Sequence, residues 1–352
     1  MHVEKDEQII KEAERQLMIC NACRYCEGYC DVWDAIERRR VFPAEEVFHL
    51  SNLCHDCREC YYACPYTPPH EFAINIPGIL SKVRVLSYRK FVFPSFMERV
   101  MPRMKYLYVI LTLLIFLSSL IFVSYLHGIQ SLYSSYILEE NVFPDDFFVI
   151  VEYLLYFYLF FMWYMEARKY WREASSGIKF SILAVIRAIS DALTHKNFKG
   201  GSAGCNFPTE KGSYYRLFSH SFIFYGFIAD WLAILFYPFK DPLVSAIFLA
   251  GSLLITFGSA STLVMRGIAP RLEEDDGTSF TSMFLAIGIS GVTFVLISSN
   301  PLWIVFFLLR ASLIATLFIT APYSKFMHAV FRFLSLVRDR AEEIETNNHL
   351  VK

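Results

Sequence analysis

The chain lacks what an enzyme acting on an organic substrate needs. No G-x-G-x-x-G fingerprint and no catalytic constellation occur, which excludes a dinucleotide-binding domain and moves any organic chemistry to a partner. No C-x-x-C-H occurs, so any haem would be held without covalent attachment. The first residues, MHVEKDEQIIKEAERQLMIC, lack a basic start followed by an apolar stretch; they read as a charged helix, and the N-terminus is expected in the cytoplasm. Thiols stay reduced there, which makes the cysteines a poor disulfide framework and a plausible set of metal ligands. Charge is scarce: 19% of residues are charged against 55% hydrophobic and 17% aromatic, too apolar for an ordinary soluble domain. The charge that exists crowds the start of the chain, so two unlike parts are expected. The net charge of -1 therefore says nothing about partners, and nucleic acid is not expected among them.

Cysteine is present in two combs. CNACRYCEGYC sets Cys20, Cys23, Cys26 and Cys30 at spacings x2, x2, x3, and CHDCRECYYACP repeats them with Cys54, Cys57, Cys60 and Cys64, closed by Pro65. This is the bacterial ferredoxin ligand run, in which three close thiolates wrap one cubane and the fourth reaches the neighbouring one. The expected pairing is Cys20, Cys23, Cys26 and Cys64 on the first [4Fe-4S] cluster, and Cys54, Cys57, Cys60 and Cys30 on the second. Two structural zinc sites are the competing reading, but zinc ribbons pair separated C-x-x-C knuckles instead of crowding four cysteines into one run. The first comb has Asp31 where proline is usual. The ninth cysteine, Cys205 in GGSAGCNFP, reads as part of a structural turn.

Apolar runs of spanning length occur at about 107–126, 147–165, 218–239, 243–265, 281–299 and 302–323, predicting six membrane helices with Glu152 and Asp230 inside two of them. With the N-terminus inside, six spans return the C-terminus to the cytoplasm. The basic residues agree: Arg168, Lys169, Arg172, Lys179, Arg187, Lys196, Lys199, Lys211 and Arg216 lie between the second and third runs, whereas 128–146 holds no Lys or Arg. Within that basic segment, Ile182, Val185, Ile186, Ile189 and Leu193 recur at helical spacing, an amphipathic helix that lies on the membrane surface or docks on the cluster domain. The expected architecture is mainly α: residues 1–100 form a two-cluster ferredoxin-like helical domain in the cytoplasm, 101–340 a six-helix membrane cytochrome b-like domain with a cytoplasmic amphipathic segment at 167–216, and 341–352 a tail.

His220 and His328 fall at similar depth on the cytoplasmic side, on different helices, which is what a six-coordinate haem b needs. His127 falls near the outer face and reads as interfacial. His55, inside the second comb, tunes a cluster or faces solvent, and His2, His49, His70, His195 and His349 stand out no more than surface histidines do. Arg216, Arg266 and Lys325 read as snorkelling cations.

The segments CRYCEGYC, CHDCRECYYACPYTPPHEFAINIP, GGSAGCNFP, FSHSFIFYGF and APYSKFMHAVFRF, in that order over about residues 15–335, resemble the tricarballylate-utilisation protein B family, also called citrate-utilisation protein B. The resemblance implies a membrane iron-sulfur and b-haem protein that takes electrons from a partner FAD-dependent dehydrogenase and passes them to quinone, the partner oxidising tricarballylate to cis-aconitate. It implies the eight comb cysteines as cluster ligands and His220 and His328 as haem ligands. Family members often have a second histidine just before the one matching His220, where this chain has Ser219. Location in a bacterial inner membrane follows. Competing readings are a heterodisulfide- or fumarate-reductase-like electron-transfer subunit and a membrane-bound iron-sulfur redox sensor.

Overall fold

The computed structural model describes residues 2–133, 147–175, 177–179, 181–200, 204–236, 242–272, 277–297 and 300–350. Among them every regular element is helical, apart from one isolated bridge between Cys205 and Ser213. In chain order the α-helices are α1 (His2–Cys23), α2 (Asp31–Glu37), α3 (Ala44–Leu53), α4 (Glu59–Tyr62), α5 (Ile76–Phe91), α6 (Met104–His127), α7 (Phe147–Ala174), α8 (Ile182–Leu193), α9 (Tyr215–Phe236), α10 (Pro242–Ile268), α11 (Thr278–Leu296), α12 (Trp303–Thr320) and α13 (Met327–Leu350).

Helical spacing builds the first domain. Ala13, Leu17 and Cys20 bury one stripe of α1, and Ile76, Ile79, Leu80 and Val83 one stripe of α5. Asn75 starts α5 by accepting from the Gly78 N–H at 2.9 Å, with Pro77 in the first turn, where its missing N–H costs nothing. The same core takes in Tyr170 of α7, Ala184 and Ala188 of α8, and Phe331 and Val337 of α13. The domain that carries the cysteine combs is therefore assembled from both ends of the chain.

Charge pairs fasten that closure. Arg38 binds Asp339, Arg39 reaches Glu342 at 2.7 Å, Arg338 reaches Glu46 at 2.5 Å, and Arg340 reaches Asp31 at 2.6 Å. Asp31, the residue in place of proline, opens α2, where a carboxylate suits the helix dipole, and ties it to α13. The segment expected as a tail from residue 341 continues α13 as helix to Leu350, with Ala341 buried and Glu342 in this network; residues 351–352 lie outside the described residues. The amphipathic segment is helix α8. Ala184 and Ala188 pack inwards, while Ile182, Leu183, Ile186, Ile189 and Leu193 stay exposed. It docks by its small residues and leaves its large apolar face outward.

Five segments are long and apolar enough to cross a membrane: Met101–His127, Tyr215–Leu235, Pro242–Ile268, Thr278–Leu296 and Trp303–Tyr323. The protein is thus a helical membrane protein. The remaining expected span is α7, 28 residues long, whose apolar run is diluted by Glu152 and several tyrosines; Tyr156 donates to the Glu152 carboxylate. Of the expected outer loop, 134–146 lies outside the described residues, and 129–133 form a short 3-10 turn. The turn at Asn300-Pro301 is closed by the Asn300 side chain, which accepts from the Leu302 N–H at 2.9 Å. Helices α9 and α10 pack backbone against backbone at Gly226, Gly251 and Gly258, where a Cβ would press on the opposing helix.

One ion pair is sealed inside the spans. Arg310 of α12 grips Asp230 of α9 with two bonds of 2.7 Å, Ser252 adds a third donor at 3.0 Å, and Arg310 also donates to the Ile287 carbonyl at 2.8 Å. Four helices meet on it. Removing one partner strands a buried charge, a loss of about 3–5 kcal/mol. Arg310→Met is expected to lower the thermal unfolding midpoint in detergent sharply, and adding Asp230→Asn to recover part of the loss. An unchanged midpoint for Arg310→Met would show that the pair is structurally idle.

Candidate functional site

The two combs fold into two crossed sets. Cys20, Cys23, Cys26 and Cys64 line one small cavity together with Ile19, Tyr25, Trp33, Pro65, Tyr66 and Ile74. A second small cavity is lined by Cys30, Cys54, Cys57 and Cys60, and Trp33 lines both. The fourth cysteine of each comb sits with the first three of the other. Left-handed backbone makes the wrap: Arg24, Asp56 and Arg58 take φ of 54°, 59° and 64° between successive cysteines.

The donor sets suit iron. Burial, then crowding by neighbouring cysteines, pushes the Cys26 thiol up to about 12; burial with Cys205 close by does the same to Cys57. Thiols so placed ionise only beside a compensating cationic centre, and a coordinating metal deprotonates them outright. Backbone donors are ready for the sulfurs: the Tyr66 N–H lies 3.3 Å from the Cys64 sulfur, and the N–H groups of Val32 and Trp33, opening α2, oppose the effect of burial on Cys30. Four thiolates with N–H donors around a small cavity fit a [4Fe-4S] cluster.

The sets differ in exposure. Cys23 is exposed and Tyr25 beside it is 61% exposed, so the first set opens to the outer surface of the domain. The second set faces the membrane part. Its loop receives Asn206 N–H on the Cys57 carbonyl at 2.8 Å, Arg332 on the Cys54 carbonyl at 2.8 Å and Arg216 on the Asp56 carbonyl. Cys205, which the sequence suggests is a structural turn, bridges to Ser213 and points its sulfur at the Phe198 carbonyl, 3.2 Å away. Gly204 before it takes φ of 91° against the Ser213 backbone, a conformation with no room for a Cβ.

His220 and His328 come together, their ring centroids 6.5 Å apart. Two imidazoles sharing one iron at about 2 Å per bond stand roughly that far apart. Each ring uses Nδ1 for a hydrogen bond: His328 Nδ1 lies 2.6 Å from the Lys325 carbonyl, and His220 Nδ1 lies 3.0 Å from Nε2 of His195. His195 in turn places Nδ1 3.3 Å from the Leu193 carbonyl, so its Nδ1 donates and its Nε2 accepts. That order puts the proton of His220 on Nδ1 and leaves Nε2 of both rings for a metal. The pair fits axial ligation of a haem. His127 lies at the far end of α6, away from this group.

His195 is a residue that the pattern of the sequence did not single out. It is 5% exposed and follows α8 in a left-handed conformation, so the amphipathic helix, by docking on the comb domain, delivers the partner of His220. Its signal was position alone, at the end of an amphipathic helix. Ser219, where the family resemblance implies a second histidine, bonds to Ser261 at 2.7 Å. His55, between Cys54 and Cys57, joins the two sites. Its ring is 5.4 Å from Phe198, and Phe198 is 4.6 Å from His220. Ring contacts therefore run unbroken from the second cysteine set to His220 and His328. Arg266 and Lys325 both lie against Gly277 at the start of α11, the side of the bundle that carries His328.

A family model described as the citrate utilization protein B Fer4-like domain matches residues 13–90, the segment holding both combs. Citrate utilization protein B of Escherichia coli is 31% identical over 360 aligned residues, spanning 93% of this chain and 91% of the relative. No solved structure matches.

Proposed function

This chain belongs to the citrate utilization protein B family, and from that premise we propose that it is the membrane electron-transfer partner of an FAD-dependent dehydrogenase of the tricarballylate-oxidising kind, delivering electrons to quinone. When bound, two [4Fe-4S] clusters and a haem b supply the one-electron chemistry. The protein supplies ligation, spacing and exclusion of water. Cys20, Cys23, Cys26 and Cys64 hold the outer cluster, Cys30, Cys54, Cys57 and Cys60 the inner one, and His220 and His328 the haem. His195 keeps His220 in the tautomer that offers Nε2, and Lys325 O does so for His328.

The observation that carries this reading is the continuous line from a cysteine set that opens at Cys23, through the second set and the His55 and Phe198 rings, to two histidines at the same end of the membrane helices. The exposed surface around Cys23 and Tyr25 is where a flavoprotein would dock. The basic segment before α9 supports a reading in which both termini lie on the cytoplasmic side of a bacterial inner membrane.

The deciding experiment is a dithionite-reduced minus oxidised optical spectrum of anaerobically purified protein, with iron, acid-labile sulfide and haem measured on the same sample. About eight irons in clusters and a b-type α band are expected. Clusters without the band would remove His220 and His328 from the proposal; zinc in place of iron would end it.

A further inference from the structure

Helix α8 has two faces, and the comb domain takes up one of them. Ser181 caps the helix by accepting from the Ala184 N–H at 3.4 Å. Ala184 and Ala188 sink into the comb domain, and Asp191 is held there by Arg340 at 2.6 Å. The other face carries Ile182, Leu183, Ile186, Ile189 and Leu193, all exposed, Ile182 at 72% and Ile186 at 57%. Ile182, Ile186, Ile189 and Leu193 are spaced four, three and four residues apart, which stacks them in one stripe. Thr194, exposed just beyond the stripe, gives its hydroxyl to the Ser190 carbonyl at 2.8 Å, so that donor is satisfied without water. A contiguous aliphatic patch of this kind marks an interaction surface.

What covers the patch follows from where the helix ends. The Leu193 carbonyl accepts from the Tyr225 hydroxyl, and the His195 ring lies 5.1 Å from Phe224. Tyr225 stands in the third turn of α9, inside the segment Tyr215–Leu235 that is long and apolar enough to cross a membrane. The end of α8 therefore lies alongside the membrane-spanning part of α9. On α9, Tyr215, Phe218, Phe222 and Tyr225 are exposed at spacings of three and four, a stripe of the kind a span turns to lipid near the interface. The two stripes adjoin at Leu193 and Tyr225. Lys179 before α8, Arg187 within it and Lys199 after it are exposed cations, and the α8 stripe holds no acidic residue. Aliphatic side chains bordered by cations suit the boundary between acyl chains and phosphate headgroups.

We propose that α8 seats its outward face in the bilayer, at the acyl–headgroup boundary of the leaflet that α9 enters. One face of the helix then grips lipid while the other grips the comb domain, so the bilayer itself holds that domain against the spans. His195, at the end of α8, is carried to His220 by the same anchorage. A protein partner seated on α8 would have to displace the lipid that covers the adjoining stripe of α9, which favours lipid as the occupant. The contact with lipid holds whether or not the cysteine sets carry electrons, and so stands apart from the proposed function.

The test is photo-crosslinking of the full-length protein in its own membrane, with the photoreactive amino acid p-benzoylphenylalanine placed at Ile186 or at Ile189. Both positions are exposed, so the probe does not enter the core, and elution of the purified protein as a single symmetric peak checks the fold. Leu117, exposed on the spanning helix α6, is the lipid-facing reference, and Met18, exposed on α1, the reference on the comb domain. After irradiation, mass spectrometry should find phospholipid adducts at Ile186 and Ile189 as abundant as at Leu117, and none at Met18. Adducts at Ile186 and Ile189 to a second copy of the chain or to another protein would overturn the inference. Absence of lipid adducts at both positions while Leu117 gives them would overturn it too, and either result leaves the proposed function standing.

Discussion

Replacing Cys57 with alanine is expected to abolish electron delivery to quinone while the partner dehydrogenase keeps its activity with an artificial acceptor. Cys57 belongs to the second set, and its carbonyl accepts from the Asn206 N–H at the junction with the membrane part. Losing one thiolate from a four-thiolate site removes the cluster, so iron should fall from about eight to about four per chain. The effect is all or none because the ring contacts to His220 begin at this set and nothing described bypasses it. Cys205→Ser is the matched control. Its sulfur bonds the Phe198 carbonyl and belongs to neither set, so iron and quinone reduction should both persist. Iron assays of the two variants with quinone-reduction rates make the comparison. Continued quinone reduction by Cys57→Ala, with four irons gone, would show that the inner set is not on the path.

What could be read from the sequence was what is local. The comb spacing carries its own geometry, because C-x-x-C-x-x-C brings three sulfurs together whatever the rest of the chain does, and the crossed fourth cysteine follows from the turn after it. Spans and the matched depth of His220 and His328 are also legible, since length and side are counted along the chain. The features that were missed are tertiary. His195 meets His220 across 25 positions only because α8 packs its alanines on the core of the comb domain. Arg332 reaches Cys54 across 278 positions, and Arg310 hides inside an apolar run because its carboxylate lies 80 positions earlier. The C-terminal segment looked like a tail because its apolar stripe is thin. Its hold is ionic, through Asp339 and Glu342, and a pattern search for hydrophobic periodicity does not register that.

The histidines admit a sharper experiment than simple deletion. His220→Ala and His328→Ala should each remove the b-type α band while leaving about eight irons in clusters, since neither ring lines a cysteine cavity. His195→Ala should behave differently. It leaves both Nε2 atoms in place and removes only the acceptor that fixes the tautomer of His220, a second-layer loss that typically costs 10–100-fold in metal affinity. The band should survive in freshly prepared membranes and fade on dilution or competition with a haem-binding protein. His195→Gln, whose side-chain carbonyl can still accept from Nδ1, should bind haem more tightly than His195→Ala, an ordering that a merely space-filling role does not produce. If His195→Ala abolishes the band and His220→Ala keeps it, the ligand pair is His195 with His328, and His220 is the supporting ring. The hydrogen-bond order argues against that exchange, because His195 commits Nδ1 to the Leu193 carbonyl and Nε2 to His220, while His220 has a nitrogen left.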